Sequence, residues 1–295
     1  MRVRRRLTLL VVVGIVAGVA LTRPQPLPDD ALAGMTADPE RGAVIFAAAG
    51  CAACHRAPGV DDGPLAGGRP FASDFGTFYA PNISPDPVQG IGRWTDVQLA
   101  SAIQRGVSPD GGHYYPAFPY TAYAKASRQD IADLIAHLRT LPPDATPNQP
   151  HQVGFPFNIR RSVGAWKLLF ANDDWVLGGD LTAEQERGRY LVEALGHCAE
   201  CHTPRGALGG LDRGNWLAGA PNPSGDGRIP NITPGALNWS IQDIAIYLES
   251  GFTPDFDTAG GTMADVVLNT AQLSDADRTA IATYLKAVPA VPNPQ

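Results

Sequence analysis

The sequence predicts an all-α fold of two tandem helical domains, with long Gly/Pro-rich loops and a leading N-terminal signal or membrane anchor. Three observations carry this. First, the chain repeats itself: Glu40-Arg41-Gly42 returns as Glu186-Arg187-Gly188, Pro81-Asn82-Ile83-Ser84-Pro85 as Pro230-Asn231-Ile232-Thr233-Pro234, and Trp94 stands 12 residues before Gly106 as Trp239 stands 12 before Gly251. Second, apolar residues recur at helical period behind the hydroxyl caps Thr95, Ser127, Ser240 and Ser274. Third, Cys-x-x-Cys-His occurs once per repeat, as Cys51-Ala52-Ala53-Cys54-His55 and Cys198-Ala199-Glu200-Cys201-His202. Two thiols at that spacing can add to the two vinyl groups of one haem, while the adjacent histidine is placed to coordinate its iron. The repeat therefore predicts two covalently bound haem c groups, with His55 and His202 as iron ligands.

Other chemistries of a Cys-x-x-Cys pair fit less well. A thioredoxin-type dithiol needs a neighbouring βαβ pattern, and neither copy has one. A four-cysteine zinc site would have to join pairs lying in different repeats and would leave both histidines unexplained. The two motifs use all 4 cysteines, so none remains for a disulfide.

The first 30 residues hold five arginines (2, 4, 5, 6 and 23) and two aspartates; beyond them 18 basic residues face 27 acidic ones. A surface of that sign excludes nucleic acid as a partner and suits steering towards a basic redox protein. At 295 residues the chain can bury two cores of ordinary size.

Taken in order, residues 1–30 are a signal sequence or N-terminal anchor. Arginines precede an apolar run from Leu7 to Leu21, broken only by Thr8, Gly14 and Gly18, which reads as a basic flank and hydrophobic segment. That run is short for a full span of about 20 residues, which favours a signal, yet it lacks a clean small-residue cleavage site, which favours an anchor. Either way the arginines stay inside and the remainder is delivered to the periplasmic side.

Residues 31–145 form the first domain, with helices over 38–49 and 95–105 and a last helix behind Ser127; loops such as Ala66–Pro70 fold over the haem edge. Residues 146–180 form an ordered connector, because Trp166, Leu168, Leu169 and Phe170 are too apolar for a free linker, and they suggest a helix over Arg160–Phe170. Residues 181–295 repeat the domain, with a helix over 240–250, a loop over Gly219–Pro230 and a last helix behind Ser274.

The copies differ at the sixth iron ligand. Methionine, a soft thioether, is the common choice in an electron-transfer haem. Of the 3 methionines, only Met263 follows a haem motif, in the loop Gly260-Gly261-Thr262-Met263. It stands 12 residues after Gly251, and the same count from Gly106 reaches Phe118, which cannot ligate iron. The first haem is thus open or takes another ligand, with His113 and Lys125 in or near the same loop and His137 and His151 farther on. Phe118 packs on the haem face. Trp94, Trp239, Arg69, Arg93, Arg228, Asn82 and Asn231 lie where they can contact propionates or the proximal histidine, or else cap and pack helices.

With Pro81–Asp86, Gly90-Ile91-Gly92-Arg93-Trp94, Tyr115-Pro116-Ala117-Phe118-Pro119-Tyr120, Phe155–Arg160 and the Met263 loop in view, the chain resembles the class I diheme c-type cytochromes. It is similar to the cytochrome subunits that accompany periplasmic alcohol and aldehyde dehydrogenases. The resemblance implies two tandem class I cytochrome c domains, and an axial methionine at the place where this chain has Phe118. It also implies a function: electrons pass from a dehydrogenase donor to a downstream cytochrome or terminal oxidase, with the protein a carrier rather than a catalyst. The alternative is a diheme redox enzyme of peroxidase or thiosulfate-oxidising type working at an open first haem, with Asp110 and His113 as its nearest acid and base.

Overall fold

A computed structural model describes residues 2–57, 63–223, 225 and 227–293. Met1, and Ser224 and Asp226 of the expected Gly219–Pro230 loop, lie outside the described residues.

The N-terminal run forms α1 (Arg2–Leu21). Leu9, Leu10, Val12, Val13, Val16 and Val19 on it are exposed, but no described helix is long and apolar enough to cross a membrane.

In the first repeat, α2 (Pro39–Ala48) starts at Asp38, whose carboxylate accepts from the N–H groups of Glu40 and Arg41. It leads into α3 (Cys51–His55), then a hairpin of β1 (Pro70–Ser73) and β2 (Gly76–Tyr79). Helix α4 (Asp96–Arg105) opens on a reciprocal cap between Thr95 and Gln98 and closes at left-handed Gly106. A short α5 (Tyr120–Tyr123) and α6 (Arg128–Thr140), capped by Ser127, complete the repeat. The connector adds β3 (Gln152–Val153) to β2 and forms α7 (Ser162–Phe170).

In the second repeat α8 (Ala183–Arg189) continues as a π-helical turn, Tyr190–Leu195, directly before the second haem motif. Helix α9 (Ala199–His202) is followed by β4 (Ala220–Pro221) paired with β5 (Arg228–Ile229). The repeat ends with α10 (Ile241–Ser250), α11 (Thr262–Thr270) and α12 (Asp275–Ala287), the last capped by Ser274.

The purely helical expectation misses two small hairpins, one directly after the 66–70 loop and one within the 219–230 loop. Strands of two to four residues are too short to show a period in sequence. The first is held by ring packing: buried Phe78 meets Tyr115 at 5.1 Å and His151 at 5.5 Å between ring centroids.

Each repeat is closed by its first long helix crossing its last, α2 over α6 and α8 over α12. The Glu-Arg-Gly repeat builds these crossings. A Cβ on Gly42 would lie 2.0 Å from the Asp133 carbonyl oxygen, and one on Gly188 would lie 2.0 Å from that of Ala280, so only glycine allows this approach. The preceding arginines brace the contact, Arg41 to Asp133 at 3.2 Å and Arg187 to Asp277 at 2.7 Å.

One hydrophobic cluster draws on both repeats, joining Ile45, Leu99, Ile131 and Leu134 to Leu191, Ile244, Ile281 and Tyr284. Polar ties cross the seam: Tyr190 donates its hydroxyl to Asp130, and Ser127 N–H donates to Tyr190 Oη at 3.0 Å. The connector touches both repeats, Arg160 donating to the His113 carbonyl at 2.9 Å and Trp166 Nε1 to the Leu208 carbonyl at 2.9 Å.

Candidate haem sites

Cys51, Cys54 and His55 share the single turn-and-a-half of α3, while Cys201 and His202 lie on α9 with Cys198 at its N-terminal boundary. In both copies the imidazole is aimed by a backbone carbonyl. His55 Nδ1 donates to the Pro81 carbonyl at 2.8 Å, and His202 Nδ1 to the Pro230 carbonyl at 2.8 Å. A carbonyl can only accept, so the proton sits on Nδ1 and the Nε2 lone pair is left for a metal. Burial lowers both pKa values below the ordinary imidazole range, with the carbonyl bond opposing it, so both rings are neutral at pH 7.

The main chain repeats the clamp. Gly67 N–H donates to the His55 carbonyl at 2.7 Å and Gly219 N–H to the His202 carbonyl at 2.7 Å. Ile83 N–H reaches the Leu65 carbonyl at 2.9 Å, and Ile232 N–H reaches that of Leu217 at 3.0 Å. The Pro-Asn-Ile motif is then tied to the chain leaving the last helix: Asn82 Nδ2 donates to the Asp144 carbonyl at 2.8 Å, and Asn231 Nδ2 to the Val291 carbonyl at 2.8 Å. Of their two expected roles, the asparagines therefore fill the packing one. The residues that aim the imidazoles are Pro81 and Pro230, which sequence reasoning passed over even though the repeated motif marked them.

Burial of the sulfur atoms pushes the Cys51 and Cys198 thiols up to about 12 and Cys54 to about 11, although three of the four cysteines keep some surface and Cys201 is exposed. Thiols protonated at neutral pH are poor partners for disulfide exchange. Among the described residues no group of three or more His, Cys, Asp or Glu could hold a metal ion, so a zinc site has no support. What each motif does offer is two thiols beside one oriented, neutral imidazole, and that donor set fits haem c.

Of the residues expected near the sixth coordination position, Met263 is half-buried against the hydrophobic cluster. It occupies the first turn of α11 rather than the expected loop, because the chain enters the helix immediately after Gly261. In the first repeat Phe118 sits in a ring cluster, 6.1 Å from Tyr114, 6.3 Å from Tyr120 and 6.0 Å from Tyr123 between centroids. His113 is buried at 4% exposure and spends Nε2 on the Thr22 carbonyl at 2.9 Å, clamping the end of α1. Lys125 reaches the Thr121 carbonyl at 3.5 Å and lines a recess with Glu193, His197 and Trp216. Burial lowers its pKa. His137 packs on Phe46 at 5.2 Å, and His151 accepts from Tyr79 N–H at 3.1 Å. All three histidines are thus engaged away from the motifs.

Trp94 and Trp239 pack against the shared cluster. The carbonyl of Trp94 receives Arg139, and that of Trp239 receives Lys286 Nζ at 3.1 Å. Arg69 donates to the Ala53 carbonyl, inside the first haem motif, and pairs with Asp265 at 2.8 Å.

Sequence reasoning also missed Glu193, a carboxylate at 2% exposure in the π-helical turn. It accepts from the N–H groups of Val176 at 2.7 Å and Leu177 at 3.1 Å and from Tyr284 Oη at 2.7 Å, while Trp216 Nε1 donates to Tyr284 Oη at 3.0 Å.

The Cytochrome c family model matches residues 39–142 and again 185–289. The chain is 56% identical over 294 residues to a diheme cytochrome c-type protein of Cereibacter sphaeroides, with 98% of this chain and 99% of that one covered. It is 41% identical over 268 residues to the fructose dehydrogenase cytochrome subunit of Gluconobacter japonicus, covering 85% of this chain and 52% of the subunit. It is 35% identical over 295 residues to the alcohol dehydrogenase (quinone) cytochrome c subunit of Gluconacetobacter polyoxogenes, covering 95% and 61%. The chain thus spans between half and two thirds of the length of those two dehydrogenase subunits.

Proposed function

The chain belongs to the cytochrome c family, as two such domains carrying two covalently bound haem c groups, and on that premise we propose that it relays electrons on the periplasmic side. The donor is a dehydrogenase, and the acceptor a downstream cytochrome or terminal oxidase. The names of the relatives support a dehydrogenase donor, and the basic-then-apolar leader supports delivery across the inner membrane, as a signal or an anchor.

The observation that carries this reading is the abutment of the two attachment sites. The Ala49 carbonyl, two residues before Cys51, accepts from Tyr123 Oη at 2.9 Å and from Nε2 of His197, the residue before Cys198, at 3.2 Å. Haem c supplies a one-electron iron couple when bound. Cys51, Cys54 and His55 would hold one such group, and Cys198, Cys201, His202 and Met263 the other. Pro81 and Pro230 keep the imidazoles aimed. Phe118 and its tyrosine neighbours would stand beside the first group in place of a methionine.

Phe118 also motivates a second reading, a diheme redox enzyme with an open iron at His55. Low-temperature EPR of the oxidised protein, followed by carbon monoxide addition to the reduced form, separates the two. Two low-spin signals without carbon monoxide binding are expected of a carrier with a replacement ligand, for which Lys125→Ala is then the test. A high-spin signal, with half the haem binding carbon monoxide, moves the enzyme reading ahead.

A further inference from the structure

Helix α11 carries Met263 yet begins differently from its neighbours. Helices α4, α6, α8, α10 and α12 each start on a Ser or Thr whose hydroxyl accepts a first-turn N–H. Helix α11 starts on Gly261, with no side-chain cap, and is preceded by a second glycine, Gly260. An uncapped end after two glycines is easily frayed, and Met263 lies in that first turn. A ligand delivered from it needs support from elsewhere.

The support comes from the other repeat. Arg69 Nη1 lies 2.8 Å from Asp265 Oδ2, in the first turn of α11. The same nitrogen donates to the Ala53 carbonyl, between Cys51 and Cys54. A carboxylate in the first turn also offsets the positive end of the helix dipole. Besides α10, α11 packs on α2 and α3 of the first repeat, and the Asn269 side chain lies beside Gly50. The position matching Asp265 in the first repeat is Tyr120, two after Phe118, whose buried ring makes no ion pair. The brace therefore stands only where a methionine stands.

We propose that Arg69 and Asp265 are a positioning pair: one guanidinium ties the first haem-attachment turn to the Met263 helix, so that closure of the iron at His202 depends on docking of the first repeat. The proposal rests on the reading of Met263 as that ligand. Both side chains keep about a third of their surface, 31% and 35%, and pairs this exposed shift an equilibrium by roughly two- to fivefold.

The test uses the haem-loaded, oxidised full chain and follows the methionine-to-iron charge-transfer band during titration with imidazole, which displaces a thioether. Asp265→Asn and Arg69→Gln are each expected to raise the apparent imidazole affinity at that band about two- to fivefold, with haem content unchanged. The double variant is expected to gain no more than either single one, because the two charges act as a unit, and Arg69→Lys to recover part of the loss. A domain 1 substitution would thereby move a signal belonging to the haem of domain 2, which a merely local role for Arg69 would not do. If Met263→Ala abolishes the band while wild type and both charge variants titrate alike, the positioning pair is overturned and the ligand reading stands. A band that survives Met263→Ala overturns both.

Discussion

The two repeats agree on one side of each motif and part company on the other. Around the histidines they match bond for bond: a proline carbonyl on Nδ1 at 2.8 Å, a glycine N–H on the histidine carbonyl at 2.7 Å, and an asparagine holding the chain after the last helix. Beyond them Phe118 stands at the position that Met263 holds in the second repeat, and beneath the helices Phe46 packed at a tilt on His137 is answered by Glu193 bonded to Tyr284. The shared side is built mostly from backbone donors and acceptors, with one asparagine side chain in each copy; the divergent side is built from side chains alone. Duplication kept the means of holding an imidazole and left each repeat free to choose what faces it.

The comparison breaks most visibly at attachment. Cys51→Ala with Cys54→Ala, and Cys198→Ala with Cys201→Ala, are each expected to halve the covalent haem, read as pyridine haemochrome per chain. Equivalent losses support two independent sites of one design; loss of both haems from a single pair would show that one site cannot form without the other.

Next in size is exchange of the distal residues. Phe118→Met is expected to suppress whatever carbon monoxide binding the reduced protein shows at the first haem, and Met263→Ala to create such binding at the second. If Phe118→Met leaves binding unchanged, the tyrosine cluster, rather than the residue at 118, controls access.

Much of this was legible in the sequence because it is local. The caps at Thr95, Ser127, Ser240 and Ser274 start helices where their hydroxyls predict, since a cap depends on three or four consecutive residues. The haem motifs needed only their spacing. The contact from Pro81 to His55 spans 26 residues and runs through a carbonyl, so no residue type announces it. Glu193 reads as an ordinary helix-surface acid until a π-helical turn, the connector N–H groups and Tyr284 enclose it. The loop assigned to Met263 fails for a related reason: two glycines look like a loop, but here they end one.

Glu193 sharpens the contrast at the level of stability. Glu193→Ala would take the acceptor away from two part-buried connector N–H groups and from the Tyr284 hydroxyl proton, and is expected to cost about 3 kcal/mol. Glu193→Gln keeps an acceptor and is expected to cost about half of that. Phe46→Ala, the matching change in the first repeat, removes a half-buried ring and is expected to cost about 3 kcal/mol by cavity formation alone. Denaturant unfolding of the three variants separates a hydrogen-bonded core from an apolar one: a Gln variant as damaged as the Ala one would show that charge, rather than hydrogen bonding, is what Glu193 contributes.

The smallest effect concerns acid. All 6 histidines have pKa values lowered from 6.5, with burial the largest cause in each case. Below 6.5 the unfolded chain takes up protons that the folded chain refuses, so stability falls as the pH drops through that value and is flat above it. The carboxylates with resolved shifts, Asp86, Asp110, Asp144 and Asp243, are lowered from 3.8 and do not contribute until the pH is well below 5. The loss is unevenly placed. With His55 and His202 committed to iron, His113 and His137 of the first repeat and His151 just before the connector strand stand against His197 alone in the second. Between pH 7 and pH 5 the thermal midpoint is expected to fall by several degrees. Amide exchange, corrected for its intrinsic pH dependence, should rise first in α2, α4 and α6. Equal acceleration in α8, α10 and α12 would mean that the shared cluster makes the two repeats unfold as one unit, whichever of them carries the protons.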